Sequence, residues 1–77
     1  MNMDKILEII RELVPGTDVA ADTLLIEDEI IDSFDLVALV GELSDAFDVQ
    51  IGVESVTPEN FETPSAIASL IERLREG

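Results

Sequence analysis

The chain contains neither cysteine nor histidine. Without cysteine there are no disulfide staples and no thiolate metal sites. Without histidine the commonest general base and the commonest zinc ligand are both missing. Positive charge is nearly absent as well: Lys+Arg number 4 against 18 Asp+Glu, a formal net charge of −14. The bases are Lys5, Arg11, Arg73 and Arg75, so no positive side chain stands between Arg11 and Arg73. A field of that sign repels nucleic acid and anionic lipid, and attracts basic protein surfaces. The opening MNMDKILEIIRELV has no apolar run long enough for a signal or membrane-spanning segment, and none of the Arg-rich, acid-poor character of a transit peptide. The expectation is a cytoplasmic protein with no membrane insertion.

What is present suits one small folded domain. The length of 77 residues leaves no room for a second, and 47% hydrophobic residues argue against disorder despite the charge. Residues 3 to 14 read as an amphipathic helix with Met3, Ile6, Leu7, Ile10, Leu13 and Val14 on its buried side, ended by Pro15-Gly16. Residues 16 to 32 form a long connection pinned by Val19, Leu24, Leu25, Ile26, Ile30 and Ile31; connections of this length are often functional. A second helix runs from about Ser33 to Phe47, with Leu36, Leu39, Val40, Leu43 and Phe47 facing the core. A neighbouring stripe of Phe34, Val37, Ala38 and Gly41 cannot be buried at the same time in so small a domain, so part of it is exposed. Thr57-Pro58-Glu59 opens a short helix ending near Phe61, and Thr63-Pro64 opens a last helix buried through Ile67, Leu70, Ile71 and Leu74. No strand alternation or internal repeat appears. The expected fold is all-α: a small four-helix bundle, three main helices plus a short third one, with a long loop between the first two.

The segment EIIDSFDLVALV carries the functional question. Ser33 can itself be a helix cap, a role serine fills well. Alternatively Asp32 is the cap, with Asp35 in the reciprocal position of a capping box, and Ser33 then stands at the first helical position with its hydroxyl unused. An unaided serine is a weak nucleophile that needs an adjacent base. The chain has no histidine and only one lysine, Lys5, so autonomous acyl-transfer catalysis is disfavoured and the protein is not expected to be an enzyme. A hydroxyl modified by another enzyme, recruited by the acidic surface, fits better. The acidic DEIIDSFD lacks the alternating oxygen ligands and sixth-position glycine of an EF-hand loop, so no metal site is assigned.

DSFDLVALVGELSDAFDVQI resembles the Asp-Ser-Leu segment and following helix of acyl carrier proteins, and the order of helices is similar over most of the chain. The resemblance implies a stand-alone, monomeric carrier. Ser33 would bear a 4′-phosphopantetheine arm transferred from coenzyme A, its thiol holding acyl or aminoacyl groups as thioesters. Asp32 would form part of the motif recognised by the phosphopantetheinyl transferase. The other implied partners are a loading ligase and downstream acyl-processing enzymes with basic docking surfaces. Phe34, Asp35, Val37, Ala38, Gly41, Glu42 and Asp45 are the candidate partner-binding residues. Phe34 replaces the usual leucine, Ala38 stands where fatty-acid-synthesis carriers have an acid, and Gly41 where they often have methionine. A mid-helix glycine costs roughly 1 kcal/mol relative to alanine; here it either permits close approach of a partner or arm, or is simply tolerated. These departures point to a specialised carrier. EIIDSF and ENFETPSAIASLI are also similar to the D-alanine carriers that serve teichoic acid modification, with Phe61 where that branch commonly has tryptophan.

Two other readings compete with the carrier. An acidic interaction module that mimics DNA would rely on charge, with Ser33 only a cap. A small hydrolase would use Ser33 and lacks a base. Whatever the function, self-repulsion among like charges destabilises the compact state and is screened by salt. The melting temperature is therefore expected to rise with ionic strength or added Mg²⁺; a flat or falling trend in a thermal melt would contradict this.

Overall fold

The computed structural model describes residues 3–76. Among them run α1 (Met3–Leu13), α2 (Ser33–Phe47), a 3₁₀ turn at Val53–Ser55, α3 (Pro58–Phe61) and α4 (Pro64–Glu76), with no strand. Each boundary has a local cause. Asp4 lies in the first turn of α1 and Arg11 in its last, matching the helix dipole. The helix closes before Pro15-Gly16, where Gly16 takes a φ of 89° that glycine adopts freely. In α3 and α4, Thr57 Oγ1 accepts from Asn60 N at 3.2 Å and Thr63 Oγ1 from Ala66 N at 3.1 Å, each threonine being followed by proline at the first helical position. The C-terminal end of α2 turns on Asp48 in the left-handed region, with the amides of Asp48 and Val49 returning to the Ser44 carbonyl.

The bundle buries one side of every helix. Ile6, Ile9 and Ile10 of α1 meet Leu39, Leu43 and Phe47 of α2, Phe61 of α3, and Ile67, Ala68, Leu70 and Ile71 of α4. α1 packs on both α2 and α4, and α3 packs on α4. Spacing marks most of these positions, but Ile9 and Ala68 are buried beyond those assigned from periodicity. Leu36, Val40 and Leu74 are only half-buried. The first helix also ends one residue early, with the Val14 amide still donating to the Ile10 carbonyl.

The long connection is held both by the apolar residues that its sequence marks and by hydrogen bonds that it does not display. Val19, Leu25 and Ile31 are fully buried, whereas Leu24 turns outward instead of pinning the loop. Three hydrogen bonds tie it to the bundle: Arg11 Nη2 donates to the Val19 carbonyl (3.0 Å), Leu25 N to the Glu62 carbonyl (2.8 Å), and Ser65 N to the Ala21 carbonyl (3.0 Å). Its last part is one helical turn closed by a Schellman motif. Ile30 N donates to the Leu25 carbonyl and Glu29 N to the Ile26 carbonyl, with Glu29 in the left-handed conformation (φ 56°). That closure sets Ile31 into the core and delivers Asp32 to the start of α2.

Glutamate is a costly choice where the motif favours glycine, since a left-handed conformation costs an L-residue about 1–2 kcal/mol. Glycine offsets part of the gain by its greater unfolded-state entropy. Glu29→Gly is therefore expected to stabilise the fold by roughly 0.5–1 kcal/mol, read as a rise of a few degrees in melting temperature. A lower melting temperature would contradict this description of the turn.

Candidate functional site

The start of α2 is built by two aspartates. Asp32, in extended conformation, is the N-cap: its Oδ1 accepts from Asp35 N at 2.9 Å, and Asp35 Oδ2 accepts from Asp32 N at 3.3 Å. This reciprocal capping box satisfies two amide donors that the helix ladder leaves free. Ser33 is then the first helical residue, exposed, with its hydroxyl outside the cap. The cap question left open by the sequence is thereby settled in favour of Asp32.

Ser33 lies on the rim of an open groove of about 580 Å³. One wall comes from the closing turn of the loop, through Ile26, Glu29 and Ile31. The opposite wall is Val56-Thr57-Pro58, the approach to α3, and Leu36 lies one turn beyond the serine. The lining is mostly apolar, with Glu29 and Asp32 as its carboxylates. The groove is absent from the linear pattern because Thr57-Pro58 signals a helix start and gives no hint of what faces it.

The remaining candidate residues sit where helical geometry put them. Phe34 is 87% exposed and Val37 73%, and Ala38, Gly41, Glu42 and Asp45 are exposed with them. Asp35 is half-buried and committed to the cap. On a helix, Phe34, Val37, Ala38, Gly41 and Asp45 share one face, opposite Leu39, Leu43 and Phe47. Val53, on the 3₁₀ turn, is 90% exposed, and no motif or spacing in the sequence marks it.

Two choices on that outer face cost α2 local stability. Gly41 has no positive φ, and a Cβ built on it meets nothing within 4 Å, so neither backbone geometry nor internal packing calls for glycine. Asp45 lies in the last turn, where no base accompanies it and a negative charge opposes the helix dipole by typically 0.3–1 kcal/mol. Two of the few arginines are engaged elsewhere: Arg11 donates to the Val19 carbonyl and Arg73 to Asn60 Oδ1.

A profile of the phosphopantetheine attachment site family matches residues 4–71, and the chain belongs to that family. The D-alanyl carrier protein of Staphylococcus saprophyticus subsp. saprophyticus is 28% identical over 74 residues, covering 94% of this chain and 95% of that protein. D-alanyl carrier proteins of Bacillus cereus and Bacillus anthracis are each 26% identical over 74 residues, at 94% coverage of both chains. The protein is thus a carrier, and its prosthetic group is a covalently attached 4′-phosphopantetheine. The family carries rather than catalyses, and its members work with ligases and transferases. No helix among the described residues is long and apolar enough to cross a membrane, and these residues include no group of carboxylates placed to hold a metal ion.

The residues at the start of α2 fit that group. The capping box engages the Asp35 amide, leaving those of Ser33 and Phe34 at the positive end of the helix dipole, a setting that favours a phosphodiester. Cap and hydroxyl are separable, which a pair of variants can show. Ser33→Ala is expected to leave stability within about 0.5 kcal/mol, whereas Asp32→Ala should cost about 1 kcal/mol through loss of the cap. Chemical denaturation of both variants checks this; equal losses would place Ser33 in the cap.

Proposed function

We propose that Ser33 is the residue that bears the phosphopantetheine arm and that the outer face of α2 presents it to successive enzymes. The observation that carries this is the division of labour at residues 32–35: both aspartates are spent on the cap, and the serine between them is exposed at the groove. The other serines offer less. Ser44 is half-buried, Ser55 lies in the 3₁₀ turn, and Ser65 and Ser69 lie along α4; none of the four lines the groove. When bound, the prosthetic group supplies the thiol that this cysteine-free chain lacks, and holds acyl or aminoacyl groups as thioesters.

The chain's own residues contribute placement. Asp32 fixes the helix start and, beside the hydroxyl, forms part of what the phosphopantetheinyl transferase recognises. Ile26, Ile31, Leu36 and Val56 offer the emerging arm an apolar surface. Phe34, Val37, Ala38 and Gly41 form the contact face, with Glu42 and Asp45 drawing basic surfaces from a distance. Asp35 serves the cap first and partners second. The protein itself catalyses nothing in this scheme; a single domain spanning residues 1–77 works as a monomer in the cytoplasm, with a loading ligase and acyl-processing enzymes.

A second, narrower reading takes the cargo to be D-alanine for teichoic acid modification. It is supported by the names of the relatives, which match this chain over nearly its whole length. Incubation of the phosphopantetheinylated protein with ATP and a D-alanine ligase, compared with other amino and fatty acids, separates the two readings by the mass of the acyl group gained.

The attachment itself is tested by intact mass after incubation with coenzyme A, Mg²⁺ and a broadly tolerant phosphopantetheinyl transferase. The parent is expected to gain one phosphopantetheine and folded Ser33→Ala none. Equal modification of the two would refute the assignment. Tight, salt-sensitive binding to a nucleic-acid-binding protein, with no modification, would favour the DNA-mimic alternative.

A further inference from the structure

We propose that Glu29 is a specificity residue: its carboxylate pairs with the ammonium group of an aminoacyl cargo on the arm and disfavours cargo that ends in a carboxylate. The inference rests on the assignment of Ser33 as the modified residue. Glu29 holds the left-handed position that closes the loop (φ 56°), where glycine is the easier choice. The turn itself is closed by backbone groups, and the Glu29 side chain makes no hydrogen bond among the described residues. The fold therefore gains nothing from this carboxylate that would offset the strain. Yet it lines the groove beside Ser33. Asp32, the other acid of the lining, is engaged in the cap, and no lysine or arginine lines the groove. Glu29 brings to an apolar cleft a negative charge with no partner there, and sites where a sequence breaks local rules are where function is expected.

The identity of the occupant follows from place and charge. The groove has the attachment hydroxyl on its rim, and at about 580 Å³ it falls within the range of small-molecule sites. What enters it most readily is what hangs from Ser33, since the arm is a flexible chain of single bonds that can turn back on its own attachment point. A metal ion is a poor match for Glu29, because the described residues include no group of acids placed to hold one. The methyl and methylene groups of the arm, or of a saturated acyl chain, suit Ile26, Ile31, Leu36 and Val56 whether or not residue 29 is charged. An ammonium group alone gains from it, through a charge-assisted hydrogen bond. A carboxylated acyl group instead meets Glu29, Asp32 and the field of a chain with a net charge of −14. One charge thus favours one class of cargo and rejects another, which is how specificity is built. Glu29 is exposed to solvent on its outer side, so the preference is modest.

The test loads Ser33 without any cargo ligase. Coenzyme A analogues carrying alanyl, propionyl or malonyl groups through an amide, so that the cargo cannot be lost, are transferred by a broadly tolerant phosphopantetheinyl transferase with Mg²⁺. The acceptors are the parent, Glu29→Gln and Glu29→Gly, with loading confirmed by intact mass and each loaded form melted. Cargo that seats in the native groove stabilises the folded state. The alanyl form of the parent is expected to melt about 1–4 °C above its propionyl form, with the malonyl form below both. In NMR spectra the backbone amides of Ile31, Leu36 and Val56 should shift more with alanyl than with propionyl cargo. Salt should narrow the parent's difference. Glu29→Gln and Glu29→Gly should abolish it, even though unloaded Glu29→Gly melts above the unloaded parent. Alanyl and propionyl forms of the parent that melt together, or a difference that survives in Glu29→Gln, would overturn the inference and leave the Ser33 assignment standing. A parent that gains no arm, or a Ser33→Ala variant that gains it equally, would overturn both.

Discussion

The reciprocal hydrogen bonds between Asp32 and Asp35 are the constraint on which the rest of the structure depends. A helix start must satisfy its free amides, and serine is among the best residues for doing so. Had Ser33 been the cap, its hydroxyl would be turned onto the backbone and unavailable as an attachment point. The two carboxylates relieve it of that duty. The loop then has one mechanical task, to deliver Asp32 in extended conformation, and it does so through the Schellman closure over Leu25–Ile30 and the burial of Ile31. The strained Glu29 at that closure also lines the groove, so the same turn places the cap and shapes the site.

α2 divides its two faces between burial and exposure. Leu39, Leu43 and Phe47 give the bundle its centre, while Phe34, Val37, Ala38 and Gly41 contribute nothing to it. A domain this small is marginally stable, and its carboxylates have few bases to offset them. Residues that cost stability on the outer face are thus tolerated only because the inner face, the caps and the tethered loop compensate.

Much of this was legible in the sequence, for identifiable reasons. The Asp32–Asp35 spacing, the Thr-Pro pairs before α3 and α4, and the two stripes of α2 are local signals that the structure follows, although Leu36 and Val40 of the inner stripe are only half-buried. The anchoring of the loop through Val19, Leu25 and Ile31 was legible, but its hydrogen bonds were not, because they join partners distant in sequence: the Glu62 carbonyl for Leu25 and the Ala21 carbonyl for Ser65. Ile9 escaped because α1 is gripped by both α2 and α4, which widens its buried arc beyond a single stripe. The groove needed three segments brought together, of which only the serine end carried a motif. Gly41 could be noticed in the sequence, but that nothing within the chain calls for it required the surrounding space to be seen.

The central claim is that the phosphopantetheine of this carrier sits on the serine that the capping box leaves free. The most direct measurement is fragmentation mass spectrometry of the protein purified from its own cells, locating the added group by peptide. The claim requires the modification on the fragment containing Ser33 and on no other. Finding it on Ser44, Ser55, Ser65 or Ser69, with Ser33 bare, would contradict the claim and reduce the serine of α2 to an ordinary first-turn residue.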